Sequence, residues 1–124
     1  RIIGNPEIGM GHIYRALTLA HEINDHEIIF LCTEEEKLAV NKITGKEYKV
    51  ESVHTDALIK RIRELKPALV VNDCLDTSSK YVSALAKSNI KTLNFEDFGT
   101  GSKLADIVIN ELFDVPLSKG KNIK

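Results

Sequence analysis

The sequence predicts an α/β fold: a doubly wound parallel sheet of about six strands in the order 3-2-1-4-5-6. Three observations carry this. Apolar runs of strand length alternate with segments of helical period. The run Ala68-Leu69-Val70-Val71 is continuous and apolar, as a strand buried on both faces would be. A glycine loop, Gly9-Met10-Gly11, joins a first strand to an amphipathic helix.

Residues 1–3 read as the end of the first strand. Residues 11–24 read as a helix, because Ile13, Ala16, Leu17, Ala20 and Ile23 form one apolar stripe. Residues 27–32 are a short buried strand. Thr33 is placed to cap a helix over 34–42, with three acids in its first turn. Residues 48–53 read as a more polar strand. Thr55 and Asp56 are placed to cap a helix that runs to Leu65 and closes at Lys66-Pro67. After the strand at 68–71, Asp76 or Thr77 would cap a helix to about Lys87. Residues 90–95 and 106–109 are the last two strands. The domain is expected over 1–113, with 114–124 a polar tail or linker. The chain opens on Arg1 in what reads as mid-strand, so it is expected to be a piece of a longer protein.

At 124 residues the chain has length enough for one core. An apolar fraction of 43% with 28% charged residues describes a globular rather than a disordered chain. The net charge is −1, which argues against a polyanion-binding surface and so against nucleic acid. Lys60-Arg61-Ile62-Arg63 reads as the solvated face of a helix. Cys32 and Cys74 have neither metal-knuckle nor redox-pair spacing, and free thiols predict a reducing, cytoplasmic setting. No apolar run approaches the roughly 20 residues of a membrane span. No metal-site spacing is present, and neither a metal nor a cofactor is expected.

In doubly wound sheets ligands bind beyond the carboxyl ends of the strands, where the strand order reverses. The residues that fall there are the candidates for chemistry. Gly9 and Gly11 would let backbone approach a ligand closely. His12 lies in the first turn of the helix, where the macrodipole disfavours imidazolium. A neutral ring there suits a general base. Arg15, one turn on, would neutralise a phosphate or pair with a carboxylate such as Asp73. Asp73 directly follows a buried strand, where it could orient His12, bind a sugar hydroxyl or simply cap a turn. Glu96 and Asp97 form a second acidic pair at a strand end, one expected to face the cleft and the other solvent. His21, His26 and His54 read as solvent-exposed. A Rossmann-type dinucleotide fingerprint fits less well. Tyr14 stands where its third glycine belongs, and the loop is too long, although Glu34 to Glu36 could mimic the ribose-binding acid.

These residues also resemble a known family. The strand followed by Ile8-Gly9-Met10-Gly11-His12-Ile13-Tyr14-Arg15 is similar to the start of the nucleotide-sugar hydrolases of pseudaminic-acid synthesis. Those are the UDP-2,4-diacetamido-2,4,6-trideoxy-altropyranose hydrolases, related to spore-coat polysaccharide biosynthesis protein G. The resemblance continues in order through Leu69-Val70-Val71-Asn72-Asp73, Lys91-Thr92-Leu93-Asn94-Phe95-Glu96-Asp97 and Ala105-Asp106-Ile107-Val108-Ile109-Asn110. Asn72 stands where the family has an aliphatic residue, and Glu96 where it has aspartate.

The resemblance implies a Rossmann-like N-terminal half of a GT-B fold. A C-terminal domain of the same chain would hold most of the nucleotide. It implies hydrolysis of a UDP-linked sugar at its anomeric carbon with inversion, with His12 activating water. Gly9, Gly11, Arg15, Asp73, Glu96, Asp97 and Asn110 would form the substrate side. Two alternatives stand beside it. One is a GT-B-type glycosyltransferase, in which His12 would deprotonate a sugar hydroxyl. The other is a non-catalytic sugar-binding module of the kind fused to cytidylyltransferases.

Overall fold

Helices and parallel strands alternate along the chain, as the periodicity predicts. The computed structural model describes residues 1–4, 7, 10–23 and 25–110. Ile8, Gly9 and the predicted tail at 114–124 lie outside the described residues. In order the elements are α1 (Gly11–Glu22), β1 (Ile29–Thr33), α2 (Lys37–Thr44), β2 (Lys49–Val53), α3 (Leu58–Leu65), β3 (Leu69–Asp73), α4 (Ser79–Lys87), β4 (Lys91–Phe95) and β5 (Ile107–Ile109). Short 3-10 turns at Thr55–Ala57 and Ser102–Leu104 precede α3 and β5. The chain divides into two compact units, Arg1–Leu58 and Ile59–Lys124.

In the first unit β1 and β2 pair in parallel, with Phe30 opposite Val50. The predicted stripe of α1 faces the core. Ile13 and Ala20 are buried with Ile2, Phe30, Cys32, Ala39 and Ile43, and Ala16 and Leu17 pack against them. Phe30 meets Tyr48 edge-to-face at 5.5 Å between ring centroids. Gly4 is required here. A Cβ on it would lie 2.6 Å from Ile13 Cδ1 and 3.0 Å from Ala39 Cβ.

In the second unit β3, β4 and β5 form a parallel sheet in that order. Strand side chains alternate between faces. Val70, Asn72, Thr92, Asn94 and Val108 are all buried on one face, where α4 brings Tyr81 onto Asn72. The opposite face starts exposed, at Leu69 and Ile107. The reading of 68–71 as a strand buried on both faces is therefore corrected: one face is buried and the other is partly open.

The sheet prediction is also corrected. Among the described residues five strands form, not six, and they lie in a two-stranded and a three-stranded sheet. The predicted neighbours 3-2 and 4-5-6 are present as β1-β2 and β3-β4-β5. Residues 1–3 reduce to a single bridge, Ile2 N–H donating to Leu31 O at 3.3 Å. The reason lies at the next residue. Gly4 N–H donates to Glu36 Oε2 at 2.6 Å, and Gly4 O accepts from Ala39 N–H at 3.0 Å. Its backbone serves α2 and does not extend a ladder.

That contact also moves the start of α2. The helix begins at Lys37, with Glu36 at the N-cap position, because the Glu36 carboxylate is turned inward to Gly4. Glu34 is likewise drawn away and accepts from Thr55 N–H at 3.0 Å. The cap before α3 is His54, whose Nδ1 accepts from Asp56 N–H at 3.4 Å. α4 is capped by Ser78 rather than Asp76 or Thr77; Ser78 Oγ accepts from Tyr81 N–H at 3.1 Å. Thr77 is unavailable because its hydroxyl donates to Asp97.

Candidate active site

His12 occupies the first turn of α1, where the spacing of the glycine loop places it, and it is only 7% exposed. The N-cap position is Met10, which supplies no side-chain acceptor. Arg15, three residues on, lies on the same face. Its guanidinium stands 3.3 Å from His12 Nδ1. A guanidinium only donates, so Nδ1 is the acceptor and a neutral ring carries its proton on Nε2.

Gly11 is exposed, and a Cβ built there meets nothing within 4 Å. The described residues make no demand for glycine at this position. Gly9 lies outside the described residues. Glu36, which the sequence reading treated as a first-turn helix acid, instead ties down Gly4 at the entrance of the loop.

The second unit holds the other candidates at the carboxyl ends of its strands. Asp73 ends β3, opposite Phe95, and is 2% exposed. Glu96 follows β4 in the left-handed region, with φ 49°, and its N–H donates to Ile109 O at 2.8 Å. Of the acidic pair, Asp97 is buried and Glu96 half-buried.

Asp97 is fully engaged within the chain. Oδ1 accepts from Thr77 N–H and Gly99 N–H, each at 2.9 Å. Oδ2 accepts from Thr77 Oγ1 at 2.5 Å and Asn94 Nδ2 at 2.6 Å. Four donors use the lone-pair directions of a carboxylate. Asp97 therefore organises the loops after β3 and β4. Asn94 also accepts from Asn72 Nδ2 at 2.8 Å, and Asn72 Oδ1 accepts from Tyr81 OH at 2.8 Å. Asn72, Thr77, Tyr81 and Asn94 were missed as a group. The available signal was two asparagines at inward positions of apolar strands, one of them the residue at which the chain departs from the resemblance.

Those loops interlock closely. A Cβ on Gly99 would lie 2.6 Å from Thr77 N, and one on Gly101 would lie 2.8 Å from Ser78 O. They also present two exposed apolar side chains, Leu75 and Phe98, joined by a bond from Phe98 N–H to Leu75 O at 3.0 Å. Asn110 directly follows β5, and its side-chain oxygen is buried with no hydrogen-bond partner among the described residues. Asp106 lies at the other end of β5, where it accepts from Thr92 N–H at 2.9 Å. That bond holds its carboxyl below the usual carboxylate range.

Cys32 and Cys74 are buried free thiols. Burial pushes the Cys32 thiol up to about 11, so it is no nucleophile at neutral pH. His21, His26 and His54 are exposed. Among the described residues no cluster of three His, Cys, Asp or Glu side chains could hold a metal. No helix among them is long and apolar enough to cross a membrane.

The chain is 32% identical, over 123 residues, to an uncharacterized protein of Methanocaldococcus jannaschii. The match takes in 95% of this chain but only 25% of that protein. No family profile and no solved structure matches the chain.

Proposed function

We propose that this chain is the N-terminal, Rossmann-like half of a GT-B-type nucleotide-sugar hydrolase acting on a UDP-linked amino sugar. The observation that carries the reading is the state of His12. It is an imidazole buried in the first turn of a helix, straight after a glycine loop, with a guanidinium on one ring nitrogen. A surface histidine with no task would be neither buried nor held. In this reading water attacks the anomeric carbon and the bond from that carbon to the diphosphate oxygen breaks. The electron pair leaves with UDP, and the water proton passes to His12. Gly9 and Gly11 shape the loop. The resemblance would have Arg15 serve the diphosphate and Asp73, Glu96 and Asn110 serve the sugar. Asp97 supports them by fixing the loops.

A second reading, a glycosyltransferase of the same architecture, is favoured by Leu75 and Phe98. Exposed apolar and aromatic side chains beside a polar site suit an acceptor sugar or lipid better than water. One experiment separates the two. The full-length protein is incubated with UDP-sugar in isotopically labelled water, with and without acceptor. Labelled free sugar released without acceptor supports the hydrolase. Turnover only with acceptor replaces it by the transferase, and no turnover in either case leaves a sugar-binding module.

A further inference from the structure

The contact between Arg15 and His12 has a chemical consequence for any proton transfer at this ring. A neutral imidazole has one basic nitrogen. With Arg15 donating to Nδ1, that nitrogen is Nδ1, and Nε2 bears hydrogen. The basic position is therefore covered by a cation that cannot give up a proton in a protein. At 3.3 Å the contact is longer than the usual 2.9–3.0 Å of an N–H···O hydrogen bond, and so a weak one. Arg15 is half-buried and within reach of solvent, whereas the ring is buried.

We propose that Arg15 is the positioning residue of His12: it holds the ring in the Nε2–H tautomer and covers Nδ1 until an anionic ligand group of the diphosphate class draws the guanidinium away. A diphosphate competes well because it offers the planar fork two charged oxygens in place of one neutral nitrogen. Its departure uncovers the lone pair of Nδ1. The ring then takes the proton released as water bonds to the anomeric carbon, becoming imidazolium with hydrogen on both nitrogens, while the diphosphate leaves with the bonding pair. Base action is thereby coupled to occupancy of the anion site. This inference rests on the reading of His12 as proton acceptor, but its test does not depend on turnover.

The test is ring-nitrogen NMR on histidine-labelled protein, with His12 assigned by His12→Gln. At a pH where the ring is neutral, Nδ1 should resonate in the pyridine-type range and Nε2 in the pyrrole-type range. Arg15→Met should move both toward the average of two tautomers. Inorganic pyrophosphate should shift Nδ1 in the unmodified protein and leave it unmoved in Arg15→Met. A ring with hydrogen on Nδ1, or an unchanged tautomer in Arg15→Met, overturns the proposal. Should that variant not fold, the pyrophosphate titration of the unmodified protein decides alone, and an Nδ1 resonance indifferent to saturating pyrophosphate overturns it. If the tautomer responds as stated while no sugar is released in labelled water, the hydrolase reading has failed and the positioning role stands.

Discussion

Asn72 and Asn94 face each other in register across β3 and β4, with the amide of the first donating to that of the second at 2.8 Å inside the sheet's buried face. Two buried amides are tolerated there because each finds further partners, Tyr81 for Asn72 and Asp97 for Asn94. The chain of bonds ends at Asp97, so the stability of both loops converges on one carboxylate.

Asp97→Ala should therefore be severe. It strands the N–H groups of Thr77 and Gly99 and the Thr77 hydroxyl at once, and leaves the Asn94 amide only its 3.3 Å contact to Thr77 Oγ1. Buried donors left unsatisfied cost about 1–3 kcal/mol each before relaxation. A loss of about 3 kcal/mol or more in urea unfolding is expected. A loss below about 1 kcal/mol would mean that water takes over the network's role.

Gly11→Ala should separate fold from function. A Cβ there meets nothing within 4 Å among the described residues, and alanine is the better helix former. Thermal unfolding should show no loss of stability and a gain of up to about 1 kcal/mol. Substrate binding should weaken, because the methyl group stands where backbone would approach the ligand. Gly101→Ala gives the contrast, since its Cβ would press on Val82 and on Ser78 O. It should lose about 1–3 kcal/mol. Equal stability losses in the two variants would refute the distinction.

His12→Asn should leave the urea midpoint close to that of the parent and lower the rate of the full-length protein about a hundredfold or more. Near-parental turnover would reduce His12 to a buried polar residue of the first helical turn.

Cys32 gives the pH dependence a sign. Its thiol is pushed from an ordinary 9.0 up to about 11 by burial. Below pH 9 both folded and unfolded chains hold the proton, and the contribution to stability is intact. Between 9 and 11 the unfolded chain releases it while the folded chain does not, so stability falls. Urea titrations through this window should show a steeper loss in the parent than in Cys32→Ala. Parallel curves would remove Cys32 as a contributor.

Local signals made much of this legible. The stripe of α1 announced which side is buried, and the strand-length runs located all five strands to within a residue or two. The start of α1 was legible from Gly11 and the apolar stripe that follows it. What escaped was long-range. Glu36 looked like a helix-start acid, and only the fold brings Gly4 N–H to it. Asp97 looked like a cleft carboxylate, and only the packing of two loops reveals four internal donors. Residues 1–3 read as the end of a strand because composition cannot show that Gly4 turns its backbone to α2. Asn72 carried a hint, since an amide in an apolar strand asks for a partner, but its position alone could not say which.

The parallel registers also bear on how the chain folds. Ile29 with Lys49, Leu69 with Lys91 and Leu93 with Ile107 each close a segment of only about 14 to 22 residues. Closure entropy rises slowly with length, so no pairing is much harder to reach than another, and each unit can nucleate from its own contiguous stretch. The polar network is different, because it joins β3, β4, α4 and two loops. It is expected to lock after the ladders exist, giving low φ-values at Asn72 and Asp97 and higher ones at Val70 and Val108. Asp97 would then act mainly as a brake on unfolding, and its removal should show in the unfolding rate far more than in the folding rate.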